Sequence, residues 1–138
     1  MSVEEHMRRD PVTVDAKTPV QDAAKLMETR NAGCVIALGG DGKPRGILTD
    51  RDIALRVLRR GLDAAETSVE SVLEPDLVTL RPSATLTSAM RRMRSYGVRR
   101  LPVVDSDGAL VGLFDWNDAV RVLSSELHHA ARVAGAQA

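Results

Sequence analysis

The sequence predicts an α/β fold built from two copies of one small unit, folded together as a pseudo-symmetric pair. Shifting the chain by 66 residues aligns 2–53 with 68–119 without a gap, and 12 of these 52 positions are identical. Both copies alternate helical and strand patterns in the same order. We therefore expect a first domain at 1–61, a linker at 62–67, a second domain at 68–129 and a disordered tail at 130–138.

Each copy opens with a short helical pattern. Ser2 and Glu5 have the spacing of a capping box, and Val3 and Met7 lie on one face of the predicted helix. The second copy repeats the pattern at Ser68, Val69 and Leu73. A brief strand is predicted next, at 12–14 in one copy and 77–80 in the other.

The following helix has the clearest start signal. Thr18 can cap it, Pro19 suits its first position and Gln21 completes a capping box. Apolar residues follow with helical spacing, so one face of each helix is predicted to be buried. These residues are Val20, Ala23, Ala24 and Met27 in the first copy, and Leu86, Ala89, Met90 and Met93 in the second.

A hairpin and a final helix complete each copy. Strands are predicted at 35–38 and 46–48, and at 101–104 and 110–114, in each case around an Asp-Gly turn. The final helices are predicted at 50–60, where Gly61 ends the helix, and at 116–127.

Composition argues against several classes of function. Nineteen basic residues balance nineteen acidic ones, so no net charge favours nucleic acid or an anionic membrane. Aromatic residues make up only 2% of the chain, which excludes stacking platforms for single-stranded nucleic acid. A single cysteine, Cys34, suits a reducing compartment, and no targeting segment is evident, so a cytoplasmic location is expected.

Two segments resemble the CBS-domain family, whose paired units are called Bateman modules. They are Gly46-Ile47-Leu48-Thr49-Asp50-Arg51-Asp52-Ile53 and the stretch from Val98 to Gly112. The resemblance implies two CBS domains with their sheets facing each other about a pseudo-twofold axis. It also implies two clefts that in many relatives bind adenine nucleotides or S-adenosylmethionine, a homodimer, and a role in regulating another protein. For this chain that effector protein would be a separate molecule.

Six residues form the candidate ligand site. Thr49 ends a strand and begins a helix, where its hydroxyl and free N–H groups can hold a phosphate oxygen. Asp52 lies on the same helical turn, where its carboxylate can accept ribose hydroxyls. The resemblance places Arg99 and Arg100 at the phosphate, which suits the planar guanidinium. It also assigns the adenine to a wall formed by Val12 and Thr13.

Four of these residues also have a purely structural interpretation. Thr49 and Asp52 have the pattern of an ordinary helix N-terminus, in which Thr caps and Asp favours the helix dipole. Arg99 and Arg100 can equally be the solvated entry of a strand.

The second cleft departs from the pattern of the first. Asp115 stands where the first copy has Thr49, and Gly33 and Cys34 stand where the second copy has its arginine pair. This cleft gains a carboxylate and loses two cations, so Asp115 and Asp118 are expected to repel phosphate. It is predicted to be degenerate, either silent or able to take the sulfonium of S-adenosylmethionine.

A metabolite-sensing regulatory protein is therefore the leading hypothesis, and a ligand-independent, stress-related dimeric scaffold is the alternative. No catalytic residues can be named, so an enzyme is not expected. His6, His128, His129 and Cys34 do not form a convincing metal set, and no cofactor is required. Cys34 is predicted to be a small buried residue at a strand start, with redox reactivity as the alternative. For Trp116 two roles are left open, covering a cleft or serving a dimer face.

Overall fold

The computed structural model describes residues 1–136. The first repeat has a three-stranded sheet of β1 (Thr13–Asp15), β2 (Cys34–Leu38) and β3 (Pro44–Thr49). Strand β2 is central, pairing parallel with β1 and antiparallel with β3. The second repeat has an antiparallel pair, β4 (Arg100–Val104) and β5 (Leu110–Asp115).

The strand predicted at 77–80 is reduced to one parallel bridge between Leu80 and Val103. In the first repeat the Ile36 N–H donates to the Val12 carbonyl at 2.9 Å. Pro102 occupies the position equivalent to Ile36 and has no N–H, so the equivalent bond cannot form. One proline therefore accounts for the missing strand.

Four helices pack against these sheets: α1 (Val20–Arg30), α2 (Asp50–Ile53), α3 (Leu86–Tyr96) and α4 (Trp116–Ala136). A π-helical turn, Ala54–Leu58, continues α2 without a break. The predicted apolar faces of α1 and α3 are confirmed, with Ala23 and Ala89 fully buried. The predicted cap at Thr18 is wrong, because α1 begins after Pro19 and has no side-chain cap.

The last helix is longer than predicted. It was expected to end at Leu127, but α4 continues to Ala136. The prediction of a disordered tail is therefore wrong for 130–136, where four alanines supply high helix propensity. The remainder of that prediction, 137–138, lies outside the described residues.

The opening segments are 3-10 helices, Val3–Glu5 and Val69–Val72. The predicted capping box at Ser2 does not form, because its hydroxyl donates to the Glu5 carboxylate at 3.1 Å and accepts no backbone N–H. The Glu5 N–H that such a box needs donates to the Ser2 carbonyl at 3.3 Å, in the tighter pattern of a 3-10 helix.

Each 3-10 helix packs into the core of the other repeat. Val3 lies in the core of the second repeat, and Val69 lies in the core of the first. The Val3 N–H donates to the Ala84 carbonyl and the Val69 N–H to the Thr18 carbonyl, both at 2.8 Å. These bonds join positions that are equivalent under the 66-residue shift, so the two repeats interlock with pseudo-twofold symmetry.

The two sheets also contact each other directly. Cys34 and Ile36 of β2 form a buried cluster with Leu113 of β5. Partly buried Leu38, Ile47 and Leu110 extend this cluster. The expected facing arrangement of the sheets is therefore present. Within residues 1–136, no helix combines the length and the apolar character needed to cross a membrane.

Candidate functional site

Thr49 of the first repeat and Arg100 of the second lie at corresponding ends of their hairpins. Cys34 stands opposite Thr49 across β2 and β3, and Arg100 stands opposite Asp115 across β4 and β5. The pseudo-twofold relation exchanges Cys34 with Arg100 and Thr49 with Asp115. Residues from both repeats therefore meet where the final helices begin.

Thr49 and Asp52 form a reciprocal capping box at the start of α2. The Thr49 hydroxyl accepts from the Asp52 N–H at 3.1 Å, and the Asp52 Oδ2 accepts from the Thr49 N–H at 2.9 Å. Both side chains are half-buried. The pair therefore caps the helix, as in the structural interpretation. The second oxygen of the Asp52 carboxylate, Oδ1, is left for other partners.

That oxygen faces Arg56, a residue that the sequence interpretation missed. Arg56 Nη2 lies 3.8 Å from Asp52 Oδ1 and also contacts the Glu74 carboxylate. Its Nη1 donates to the Val72 carbonyl at 2.8 Å. Arg56 lies in the π-helical turn and so connects the candidate site to the 3-10 helix of the second repeat. Its i+4 spacing from Asp52 was the available signal.

Arg100 extends from the second repeat toward the first. Its Nε donates to Asp115 Oδ2 at 2.9 Å, which fixes the side chain. A Cβ placed on Gly33 would lie 3.3 Å from Arg100 Nη2 and 4.0 Å from Asp50 Oδ2. The Gly33 carbonyl in turn accepts the Asp50 N–H at 3.1 Å. A guanidinium of one repeat thus stands beside the helix start of the other.

Asp115 has a cation partner from its own repeat, because Arg100 reaches it across the β4–β5 pair. Asp115 also accepts the Asn117 N–H at 2.7 Å, and Asp118 accepts the Asp115 N–H at 3.1 Å. Asp118 lies 3.6 Å from Arg121. Both carboxylates are buried and already engaged within the protein.

Three predicted residues lie outside the contacts described above: Arg99, Val12 and Thr13. Arg99 is exposed, and its carbonyl accepts the Trp116 N–H at 2.8 Å. Val12 is half-buried and packs against the first-repeat core, whereas Thr13 is exposed on β1. Of the six predicted residues, only Thr49 and Asp52 have contacts with each other among the described hydrogen bonds.

Two cavities lie near the helix starts. One, of about 250 Å³, opens between the amino-terminal segment and α4 and is lined by His6, Asp118, Arg121, Val122, Ser125 and Glu126. The other, of about 340 Å³, is lined by Ala24, Met27, Glu28, Ala32, Asp50 and Ile53. The first brings both repeats together at Asp118, one of the two residues assigned to the second cleft.

Cys34 is the first residue of β2 and is buried, as predicted. Burial raises the pKa of its thiol, and the nearby Arg100 guanidinium opposes that rise. A raised pKa disfavours the thiolate, which is the reactive form. The alternative of a redox-responsive thiol therefore finds no support in this environment.

We expect Cys34 to react with a thiol reagent at pH 7 at least tenfold more slowly in the folded protein than in denaturant. Burial limits access, and the raised pKa reduces the thiolate fraction. Modification by Ellman's reagent, followed with and without guanidinium, measures this ratio. Equal rates in the two conditions would contradict the buried assignment.

The histidines do not assemble a metal site. His128 and His129 are neighbours on α4, with ring centroids 6.0 Å apart, whereas His6 lines the cavity of about 250 Å³. Within residues 1–136, no three His, Cys, Asp or Glu side chains are grouped so as to hold a metal ion.

Comparison with known proteins shows the family. A family model for the CBS domain matches residues 3–59 and 69–125. The CBS domain-containing protein YhcV of Bacillus subtilis is 38% identical over 126 residues, which cover 91% of this chain and 88% of that protein. Two further curated relatives are longer, and the chain covers 62% and 22% of their lengths.

Solved structures show the same fold. The CBS domain pair of protein MJ0100, in complex with 5′-methylthioadenosine and S-adenosyl-L-methionine, has a TM-score of 0.82 at 22% identity, covering 91% of this chain and 98% of that one. The protein PAE2072 from Pyrobaculum aerophilum, complexed with AMP, has a TM-score of 0.77 at 22% identity, covering 86% and 89%. With two matched domains, the interlocked repeats and these relatives, the chain belongs to the CBS-domain family as a tandem pair.

Proposed function

We propose that this CBS pair is a cytoplasmic regulatory protein that binds an adenine-containing ligand between its repeats and signals to a separate effector protein. The ligand is an adenine nucleotide or S-adenosylmethionine, held by Thr49, Asp52, Arg99 and Arg100 against Val12 and Thr13. Solved CBS pairs of the same fold are bound to AMP or to S-adenosyl-L-methionine, which supports the ligand class. A fold supplies only a prior for a site, so the argument depends on this chain's own residues.

The position of Arg100 carries the proposal. Its Nε is held by Asp115, while its Nη2 lies beside Gly33 of the first repeat. Gly33 has no side chain, so the guanidinium can approach the start of α2 closely. A phosphate there would meet a cation from one repeat and the Thr49 hydroxyl from the other. Binding would then depend on how the two repeats are packed, which a regulatory ligand requires.

Asp52 is suited to the ribose with one adjustment. Its Oδ2 is held by the Thr49 N–H, whereas its Oδ1 has only the Arg56 ion pair at 3.8 Å. A ribose hydroxyl at Oδ1 would replace this long contact with a hydrogen bond. Arg56 would lose its Asp52 contact and keep its bonds to Val72 and Glu74, so occupancy of the site would leave Arg56 held by the second repeat.

The second cleft is proposed to reject phosphate. Asp115 and Asp118 each have an arginine partner, but both are buried and committed to backbone N–H groups. Moving Arg100 to a phosphate in this cleft would leave Asp115 without its ion pair. One competent adenylate site per chain is therefore expected.

The ligand-independent scaffold remains the second candidate function. The closed capping box at Thr49 and Asp52 favours it, since both residues are satisfied without any ligand. A rise in Tm on addition of a ligand separates the two functions.

We expect an adenylate at about 1 mM to raise the Tm by several degrees. A ligand with a Kd near 10 μM adds roughly 2.7 kcal/mol to the free energy of unfolding at that concentration. Thermal unfolding with AMP, ADP, ATP, S-adenosylmethionine and NAD identifies the ligand class. Asp52→Asn should abolish the shift, because the neutral amide accepts the Thr49 N–H but holds ribose hydroxyls less strongly.

Asp118→Asn is the matched control. Asp118 occupies the equivalent position in the second repeat and makes the same backbone bond, to the Asp115 N–H. Its substitution should leave the ligand-induced shift unchanged. Loss of the shift in Asp118→Asn alone would move the site to the second cleft, and no shift with any of the five ligands would favour the scaffold.

A further inference from the structure

The cavity of about 250 Å³ is built on one face of α4. Five of its six lining residues belong to α4 and follow one another at spacings of three, one, three and one, which places them on one side of the helix. The sixth, His6, comes from the amino-terminal segment. We call this space the α4 cavity. Among residues 1–136, those that line it include none of the six candidates for the adenylate site.

The corresponding place in the first repeat is filled by Arg56. Under the 66-residue shift, Arg56 corresponds to Val122 and the Val72 carbonyl corresponds to that of His6. Arg56 donates to the Val72 carbonyl at 2.8 Å and lies 3.8 Å from Asp52 Oδ1. Valine is shorter than arginine and has no side-chain N–H group. The α4 cavity therefore corresponds to the space that a guanidinium occupies in the first repeat.

Two polar groups at the α4 cavity are short of hydrogen-bond partners. The Asp118 side chain is only 5% exposed; its Oδ2 accepts the Asp115 N–H, whereas its Oδ1 has Arg121 at 3.6 Å. Nε2 of His6 is buried and, within the described part of the chain, has no hydrogen-bond partner. Glu5 Oε2 lies 4.0 Å from it, beyond hydrogen-bond distance. Because unsatisfied buried polar groups are costly, both atoms favour a donor placed in the cavity.

The charges around the α4 cavity favour a cation. Asp118 and Glu126 supply two carboxylates, against one lining guanidinium, that of Arg121. The Arg121 side chain is 70% exposed, so its long contact with Asp118 contributes little and can give way to a ligand. Arg8 replaces the acidic Glu74 of the first repeat, but it is exposed and does not line the cavity. The second acidic group of this cavity is therefore supplied by α4.

We infer that the α4 cavity binds a guanidinium group carried by another molecule. Its planar N–H donors would meet Asp118 Oδ1, the Glu126 carboxylate and Nε2 of a neutral His6. A fixed fork of donors suits several acceptors around one plane better than a compact ammonium does.

The size of the α4 cavity limits what the guanidinium can be attached to. At about 250 Å³ the cavity is smaller than the roughly 300 to 1,000 Å³ of sites for drug-sized ligands. The bound group is therefore an alkylguanidine or the end of an arginine side chain. Because the lining residues are separate from the candidate adenylate site, this inference does not rest on the proposed function.

An NMR titration of the isotope-labelled chain with methylguanidinium chloride tests the inference. We expect saturable shifts of amide signals at His6 and at 118–126, with a Kd of about 1 mM, as suits a ligand of about five non-hydrogen atoms. Tetramethylammonium chloride has the same charge without N–H donors, so it should give no saturable shift. The absence of saturable shifts with methylguanidinium, or an equal response to tetramethylammonium, would overturn the inference.

Two substitutions locate the bound group. Val122→Arg places the arginine of the first repeat in the second, and its guanidinium should fill the cavity and weaken methylguanidinium binding at least tenfold. Ser124→Arg is the matched control, because it adds the same charge at an exposed position of α4 outside the cavity and should leave the Kd unchanged. Glu126→Gln removes a carboxylate without filling the space and should weaken binding about fivefold. A wild-type Kd in either Val122→Arg or Glu126→Gln would contradict the assignment.

The source of the guanidinium is distinguished by a second ligand. Arginine capped as its N-acetyl amide carries the peptide groups that flank an arginine within a protein. If it binds at least as tightly as methylguanidinium, the occupant is an arginine side chain of a partner chain. If it binds more weakly, the occupant is a free alkylguanidine. Binding of neither ligand at the α4 cavity would refute the inference.

Discussion

Replacing Gly112 by alanine is expected to lower the free energy of unfolding by about 3 kcal/mol, as overpacking of a tight site does. Gly112 lies in β5, where an added Cβ would stand 2.7 Å from the Arg8 carbonyl oxygen and 2.6 Å from the Met7 Sδ. The methionine can move aside, but the carbonyl is fixed by the Leu113 N–H at 2.9 Å. The substitution therefore pushes the amino-terminal segment away from the second repeat.

Gly46→Ala is the matched control in the first repeat. Gly46 is equivalent to Gly112, yet its added Cβ would meet only side-chain atoms of Leu73, the nearest at 3.0 Å. We expect a loss of about 1 kcal/mol, because a flexible side chain can yield. Urea unfolding of both variants measures the difference. Equal losses would show that the segments around Met7 and Leu73 do not pack against the opposite repeats as the structure indicates.

Much of the fold follows from sequence pattern. The gapless repeat fixes which elements correspond, and the helical spacing of residues such as Ala23 and Met27 identifies the buried faces. The hairpins are fixed by Asp-Gly turns, where Gly42 and Gly108 adopt positive φ. These features are local, and local features are what periodicity and turn chemistry report.

The packing of each opening segment against the other repeat could not be predicted in the same way. Val3 and Met7 are apolar on one face whether that face meets the first repeat or the second. The loss of the strand at 77–80 depends on Pro102, which is close to that strand only in the folded sheet. Both outcomes are set by contacts between distant parts of the chain.

The sequence predicted which residues belong to the site. It did not predict which other residues of the protein they contact. Sequence pattern placed Thr49 and Asp52 on one helical turn, and the capping box follows directly from that spacing. It did not reveal that Arg100 and Asp115 are cross-strand neighbours, because that register is a property of the β4–β5 hairpin. The same register makes Arg100 both a structural ion pair and the proposed phosphate ligand.

That dual role predicts a large loss of stability for Arg100→Met, about 3 kcal/mol. The Asp115 side chain is only 11% exposed, and Arg100 is its ion-pair partner at 2.9 Å. Removing the cation leaves a buried carboxylate uncompensated, which costs about 3 to 5 kcal/mol in buried pairs. The lower figure applies because the Arg100 side chain is 32% exposed and Asp115 keeps the Asn117 N–H.

Combining Arg100→Met with Asp115→Asn should restore about 2 kcal/mol, because the neutral amide no longer requires a cation. Chemical unfolding of the two single variants and the double variant gives the coupling free energy. Arg99→Met is the matched control, since Arg99 is the exposed neighbour and its substitution should change stability by less than about 0.5 kcal/mol. The double variant then tests the site without the penalty of the bare carboxylate: it should be nearly as stable as the wild type and still show no Tm shift with adenylates. A double variant that keeps the shift would remove Arg100 from the proposed ligand site and leave it a purely structural residue.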